Sequence, residues 1–560
     1  MKKWLCLLLV CALLPVIAGA AEGSSGEIRV LLRRLNLSDR VDLTLSGRYL
    51  ARSADGTAIL LSEGAEVSVL LRNHRLILFT GGISADMGIS LSLTRQDSGE
   101  TVPGIRFNLQ SGFYPGDLQL SAETSSETKQ SVIRPILTLP LETYVQGVVP
   151  YEMGDGFPEE ALKAQAVCAR TYALSRVSPK AEWDVVDTTN DQVFRGLDAN
   201  SPRSTKAAED TAGLVLTCDG KLITAWYSAS NGGQTELPSN LWTGDVPRCF
   251  AMTEDPWDAE NPDATVRICT LARDASDLSP AFVKLIRRAV LADPKLSGFL
   301  PGEDSFFIQR LTAVELITPR YPSPSRLMTQ MKVSFELSPN SDATGNSGEA
   351  EDLTIGEVLT FIPMTVTLDL FPETVIALGL SVSGADNEMI TVAEDETAFT
   401  LRAGRFGHGV GLSQRGAQQM ARAGGKDFRE ILSFYYPGAT LKKYTGEPAP
   451  LPTPQPALAQ DPGPAPTATP RPTLMPVTGE IPEGARIAYV ENIPEDSSLN
   501  LRAQPSVGAE ILLRLYYHQE LIVLERSDVP GWVRVKTDTI EGYVMESFLV
   551  YQDDEDAPKG

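Results

Sequence analysis

Apolar and polar residues alternate in short runs from residue 26 to about 130, as in Glu27-Ile28-Arg29-Val30-Leu31-Leu32, Val67-Ser68-Val69-Leu70-Leu71 and Leu76-Ile77-Leu78-Phe79, with Ser, Asp and Gly between them. A period of two broken by turn residues predicts a small, mainly antiparallel β unit over 26–130, with His74 in a hairpin turn. At 141–176 the pattern changes to an apolar run followed by a helix from about Pro158 to Arg176. Pro158 suits the first helical position, Asp155 or Gly156 stands where a cap is needed, and Glu159 and Glu160 complement the positive end of the helix dipole. Alanines 161, 164, 166, 169 and 173 cover more than one face, so this helix is expected to pack on several sides.

Further along, the pattern predicts a polar helix near 204–212, strands at 213–217 and 222–228, an amphipathic helix at 278–293, and strands within 306–337 and 354–380. Glycines 404, 407, 409, 411 and 416 crowd around His408, Ser413 and Gln414 before a helix that begins near Ser413. Residues 447–484 hold about a dozen prolines without apolar periodicity and read as an extended linker. Short strands over 485–552 predict a small β-barrel on this tether. The fold class expected is α+β, with a β-rich N-terminal unit, a mixed domain over 139–444, the linker and the C-terminal barrel.

A chain of 560 residues supports three or four such units. Its net charge of −23 argues against nucleic acid as a partner. Lys2, Lys3, the apolar stretch from Trp4 and Ala18-Gly19-Ala20 read as a secretory signal over 1–20, which places the protein outside the membrane, in the cell wall or the medium. An uncleaved segment of this kind would instead serve as a membrane anchor, and Leu8-Leu9-Val10-Cys11 faintly resembles a lipoprotein cleavage site. An exported chain permits disulfides; Cys249 and Cys269 bracket a polar loop, and a bridge there would stabilise by roughly 3 kcal/mol. With three histidines and no closely spaced cysteines, no metal or other cofactor is expected.

The chemistry-bearing candidate is Glu152, set among Val148, Val149, Pro150, Tyr151 and Met153. A carboxyl group in apolar surroundings keeps its proton to higher pH and can act as an acid; the alternative is an exposed loop glutamate. Lys163 and Arg170, seven residues apart, share a stripe of an otherwise small-residue helix. Cys168 in that helix reads as a small core residue. Residues 229–236 form a Ser/Asn/Gly-rich turn that either presents backbone N–H groups to a ligand or is a plain turn. Ser413 lacks the Gly-x-Ser-x-Gly elbow of a nucleophile, being flanked by Gly411 and Arg415, and His408 has no second metal ligand near it.

Three segments together resemble the stage II sporulation protein D / LytB family: YVQGVVPYEMGDGFPEEALKAQAVCARTYAL; DTTNDQVFRG with AWYSASNGGQTE; and GHGVGLSQRGAQQMA with ILSFYYPG. Through LNLRAQPS, GWVRV and GYV the C-terminal part resembles a bacterial SH3 domain. The resemblance implies a lytic transglycosylase that cuts peptidoglycan glycan strands lacking stem peptides and leaves 1,6-anhydro-muramic acid ends, with Glu152 as the acid. It also implies that Lys163, Gln165, Arg170, Gln192, Ser228, His408, Ser413 and Gln414 line the glycan groove. LytB-type members are modifiers of cell-wall amidases, which makes an amidase the alternative partner. Some members hold zinc with a histidine and cysteines in the turn after the strand; Ser228 and Asn231 stand there in this chain, so zinc is not carried over. The 141–176 stretch thus reads as half of a groove and the 404–414 loop as its other half, and the two are expected to touch. A true hydrolase would need a second carboxylate, for which Asp187 and Asp191 are the candidates.

Overall fold

The computed structural model describes residues 26–96, 102–108, 110–124, 131–242, 247–292, 302, 305–340, 361–444, 485–490, 498–502, 504–505, 511–516, 519–529, 531–537 and 541–551. The expected signal at 1–20 and the linker at 447–484 lie outside these. The chain divides into two compact units, the first ending at Ala457. Among the described residues no helix is long and apolar enough to cross a membrane.

The first unit opens with two layers, antiparallel except where Val185–Val186 joins. One is a seven-stranded sheet in the order Val185–Val186, Glu27–Leu31, Ser131–Pro140, Asp117–Thr124, Ser90–Arg95, Tyr49–Ser53 and Ala58–Leu61. The other runs Ile83–Asp86, Arg75–Thr80, Glu66–Arg72, Arg40–Ser46 and Gly104–Phe107. Alternate residues such as Val41, Leu43 and Leu45 point inward, as the period of two requires, and join one core with Leu91, Leu93, Leu118 and Leu120. His74 sits between two paired strands at φ 61°, the left-handed region typical of a hairpin turn.

This β-rich part shares its core with the helices that follow. Glu27–Leu31 pairs antiparallel with Ser131–Pro140 and parallel with Val185–Val186, and Arg29 binds the Asp184 carboxylate at 2.6 Å. Ser131–Pro140 runs directly into helix α1, Leu141–Glu152. The apolar run read from the sequence is therefore a helix, with Glu152 as its last residue. Helix α2, Glu159–Arg176, starts after Pro158, which takes the cap position with no side-chain cap. Asp155, expected to cap α2, instead accepts the Ser204 N–H at 2.6 Å and so caps helix α3, Pro202–Asp210. Ala161, Ala164, Ala166, Ala169 and Ala173 are all fully buried, which lets α2 be approached closely from several sides.

The chain then forms strand Leu214–Cys218, short helices α4 (Pro238–Leu241) and α5 (Pro256–Ala259), and a separate subdomain. That subdomain has its own core, built from helix α6 (Pro280–Ala292), the three-stranded sheet of Phe306–Pro319, Met328–Pro339 and Ile362–Asp369, and a second sheet in which Ala398–Gly404 lies between Arg267–Ala272 and Met389–Glu394. Residues 370–377, expected as strand, are helical and end in α7, Val375–Ala377. Helix α8 (Gln414–Arg422) and helix α9 (Phe428–Tyr435) return to the first core, and α9 opens with a full capping box between Asp427 and Glu430.

The second unit is one sheet in the order Ile511–Tyr516, Ser498–Arg502, Glu541–Met545, Trp532–Lys536, Glu520–Arg526, Arg486–Val490 and Leu549–Tyr551. The expected barrel is not closed among the described residues. Leu549–Tyr551 spends its pairing edge on Arg486–Val490, and Ser498–Arg502 meets Glu541–Met545 through Arg502↔Tyr543 alone.

One ion pair clamps the helices of the first unit. Arg170 of α2 is fully buried and grips both oxygens of Glu142 on α1, at 2.8 and 2.7 Å, while also donating to the carbonyls of Ala208 and Leu214. A buried cation left without its carboxylate is far costlier than an apolar replacement of the cation. Because the Glu142 side chain is 40% exposed and Arg170 keeps its carbonyl partners, Glu142→Ala is expected to destabilise by about 1–3 kcal/mol and Arg170→Met by less, as measured by urea unfolding of the two variants. Equal losses would show that the buried charge is not what matters.

Candidate active site

Glu152 ends α1 with its carboxyl turned into the protein, where Oε1 accepts the Val193 N–H at 2.8 Å. That donor is placed by its neighbour. Phe194 is fully buried against Tyr144, with ring centres 5.1 Å apart, and lies flat on α1 because residue 147 is glycine. A Cβ at Gly147 would come within 2.5 Å of the Phe194 ring.

The Tyr227 hydroxyl and the Gln414 amide lie close enough to Glu152 to lower its pKa. These residues come from distant parts of the sequence. They meet because Tyr227–Ser228 pairs in parallel with Leu412–Ser413, directly before Gln414 opens α8. Gly411 makes this approach possible: its φ is +70°, and a Cβ there would stand 2.1 Å from the Trp226 carbonyl oxygen.

Behind Tyr227 lies a fully buried amide. Gln192 donates from Nε2 to the Tyr227 hydroxyl at 3.0 Å and to the Ala169 carbonyl at 3.3 Å, and its Oε1 accepts from the Tyr144 hydroxyl at 3.2 Å. On the other side, Gln414 Nε2 donates to Gln165 Oε1 at 3.4 Å, so α8 and α2 touch as the sequence leads one to expect. Gln165 Nε2 is buried and has no hydrogen-bond partner among the described residues.

Burial raises the pKa of Glu152 above the usual carboxylate value, and the three donors from Val193, Tyr227 and Gln414 pull it back without cancelling the rise. No cation is among the influences on it. Burial also holds Tyr227 well above its ordinary pKa, so its hydroxyl keeps its proton and remains a donor.

The remaining sequence candidates lie elsewhere. Lys163 is occupied by Glu159 at 2.6 Å and Glu160 at 3.0 Å, with Asp210 at 3.7 Å, and Arg170 is the internal clamp described above. Neither cation orients Glu152, because each has carboxylate partners of its own. Ser413 caps α8 by accepting the Gly416 N–H at 3.0 Å and donates to Asp258 at 3.0 Å, which leaves it wholly buried. Ser228 accepts the Gly409 N–H at 3.2 Å. His408 accepts the Val410 N–H on Nδ1 at 3.0 Å and packs edge-on against Trp242. Burial, together with the nearby Arg405 guanidinium, lowers the His408 pKa to about 4, so the ring is neutral near pH 7. These three residues shape the backbone that presents Tyr227 and Gln414.

Asp187 and Asp191 are likewise engaged. Asp187 accepts the Arg34 N–H at 3.1 Å, and burial pushes its pKa up to about 7. Asp191 accepts from the Tyr172 hydroxyl at 2.7 Å and the Val186 N–H at 2.9 Å, with the Arg176 guanidinium at 3.5 Å. Among the described residues no group of three or more His, Cys, Asp or Glu is placed to hold a metal ion.

Sequence reasoning missed Tyr227 and two buried aspartates. Asp258 accepts from Ser230 Oγ at 2.7 Å, the Asn231 N–H at 2.6 Å and Ser413 Oγ at 3.0 Å. Asp255 accepts from Asn231 Nδ2 and the Tyr435 hydroxyl, each at 2.7 Å, and burial with the neighbouring Asp258 raises it to about 6. The signal available was Asp255-Pro-Trp-Asp258, a helix start with a capping aspartate. These contacts make the 229–236 segment a braced turn, whose N–H groups at 231 and 232 face Asp258.

Residues 129–218, which contain Glu152, match the family described as stage II sporulation protein, and residues 497–550 match the bacterial SH3 domain. The amidase enhancer of Bacillus subtilis (strain 168) is 31% identical over 314 residues, covering 54% of this chain and 40% of that protein. The chain thus spans well under half the length of that relative. Stage II sporulation protein D of Bacillus amyloliquefaciens is 29% identical over 322 residues, or 54% of this chain and 75% of that protein. Its counterpart in Bacillus subtilis (strain 168) is 26% identical over 324 residues, with the same two coverages. Glu152 thus lies inside the segment that matches the stage II sporulation protein family, and the chain is similar to a bacterial SH3 domain towards its C-terminus.

Proposed function

We propose that the protein acts on the cell wall as a peptidoglycan lytic transglycosylase, cutting glycan strands that lack stem peptides and leaving 1,6-anhydro-muramic acid ends. The observation that carries this reading is a single largely buried carboxyl group, Glu152, which accepts the Val193 N–H and has the neutral Tyr227 and Gln414 beside it, with no cation within salt-bridge distance among the described residues. Such a group can serve in both protonation states. Burial favours the acid, and the Val193, Tyr227 and Gln414 donors support the carboxylate once the proton has gone.

Glu152 gives its proton to the glycosidic oxygen as the bond to C1 breaks. The resulting carboxylate then takes the proton of the C6 hydroxyl while O6 closes on C1. The substrate supplies its own nucleophile, so the reaction needs no second carboxylate, in keeping with the separate engagements of Asp187 and Asp191. Gln414 beside the carboxyl, and Gln165 behind it with an Nε2 that has no partner among the described residues, are neutral groups that suit an uncharged sugar. The SH3 domain adds a second grip on the wall, and the reading requires export, the role given to residues 1–20.

A second reading, modifier of a cell-wall amidase, is favoured by the similarity to the amidase enhancer. Mass spectrometry of products from peptide-free glycan separates the two. Anhydro ends support the transglycosylase; intact glycan together with faster cleavage by an added amidase supports the modifier; reducing ends indicate a hydrolase. Glu152→Gln is expected to slow formation of anhydro ends by about 10²-fold or more. A variant as fast as the parent would remove Glu152 from the chemistry.

The pH profile gives a sharper test. The active form is the protonated acid, so the rate falls as pH rises through the pKa of Glu152. Tyr227→Phe deletes a donor that lowers this pKa. The alkaline limb of kcat/KM is therefore expected to move to higher pH in Tyr227→Phe, and an unmoved limb would mean that the hydroxyl does not address the carboxyl in solution.

A further inference from the structure

Two of the cysteines meet in a place that the sequence did not indicate. Cys218 ends strand Leu214–Cys218 and Cys249 lies just before Phe250; both are free thiols, and Cys218 is the neighbouring group that acts on the Cys249 thiol. Cys249 is completely buried and Cys218 is 8% exposed. Their chain neighbours meet as well, since the Arg248 guanidinium pairs with the Asp219 carboxylate on the surface beside them. The backbone of Cys249 has no room to withdraw: a Cβ on Gly438 would come within 2.9 Å of its Cα, and Phe250 packs between Trp226 and Tyr436. Cys269, the partner suggested by loop spacing, sits instead on the strand Arg267–Ala272 of the separate subdomain, opposite Leu401. Cys168 faces the Tyr436 hydroxyl at 3.5 Å.

We infer that Cys218 and Cys249 are a disulfide-forming pair, closing residues 219–248 into a covalent loop. The proposal is independent of whether Glu152 cleaves glycan. Oxidation needs an external disulfide, such as oxidised glutathione. The more accessible Cys218 attacks it as thiolate, forming a mixed disulfide and releasing one glutathione thiolate. Cys249 then loses its proton to solvent and attacks the Cys218 sulfur, which expels the second glutathione. Two cysteine thiols are oxidised and one external disulfide is reduced to two thiols. Burial pushes the Cys249 thiol up to about 12, which accords with Cys218 as the point of entry. The loop so closed contains Tyr227 and the 229–236 turn, so the bond would secure the strand that addresses Glu152.

The test uses the full chain, incubated folded with oxidised glutathione, digested without reduction and mapped by mass spectrometry. The expected result is a peptide containing Cys218 joined to one containing Cys249, with Cys168 and Cys269 still open to alkylation. The oxidised protein is expected to melt several degrees above its reduced form. This gap should vanish in both Cys218→Ser and Cys249→Ser and persist in Cys269→Ser. A Cys249 to Cys269 link, or four free thiols after prolonged incubation just below the melting range, would overturn the proposal.

Discussion

The Asp258 carboxylate is the constraint on which the site depends. It is buried, has no salt-bridge partner among the described residues, and is held by the hydroxyls of Ser230 and Ser413 and the N–H of Asn231. A buried charge persists only where its hydrogen-bonding capacity is filled. Filling it draws together the 229–236 turn and the N-terminus of α8. That junction puts Tyr227 and Gln414 on the same side of Glu152. Asp255, braced by Asn231 and Tyr435, extends the tie to the end of α9. Arg405 and Glu236, each about 1% exposed, form a looser buried pair 3.6 Å apart, with the guanidinium also donating to the carbonyls of Asn231 and Gln234. The polar interior is thus a scaffold of charges that do no chemistry.

Around Glu152 the arrangement is the reverse. It accepts a backbone N–H, and the groups that bear on its pKa beside it are a phenol and a primary amide, none of which changes charge near neutral pH. A nearby cation would have fixed the group as a carboxylate, and a nearby anion would have locked it as the acid. With neutral donors alone, the balance is set by burial and can be tipped by whatever displaces water from the carboxyl.

Much of this was legible in the sequence where a residue's role follows from its neighbours in the chain. The alternating runs, the alanine-rich α2, the amphipathic α6 and the helix beginning after Ser413 all reflect local periodicity. Glu152 was legible because its apolar flanks belong to the same helix. What the sequence did not disclose were long-range polar choices. Lys163 and Arg170 share a stripe of α2, yet Lys163 pairs with carboxylates of its own helix and Asp210 while the fully buried Arg170 reaches across to Glu142 of α1. Asp155 leaves its own helix to cap α3, and Cys249 sits beside Cys218 rather than Cys269. Each depends on which distant segment arrives, and periodicity carries no such information. Nor did apolar spacing distinguish the α1 run from a strand, because that helix is buried over most of its surface.

The subdomain with its separate core leaves the chain through Arg267–Ala272 and returns through Ala398–Gly404, strands that lie side by side in register from Arg267↔Ala403 to Ala272↔Ala398. Its two ends therefore form a single stalk, and everything beyond that stalk is an excursion from one point of the domain. Lengthening, trimming or exchanging the excursion would leave the ends at the same spacing. The stalk leads straight into Arg405 and the glycine-rich loop, so a force or partner acting on the excursion would be felt first at the backbone that carries Gln414. The insertion is thus both a place where the protein can vary in size and a handle on its own site.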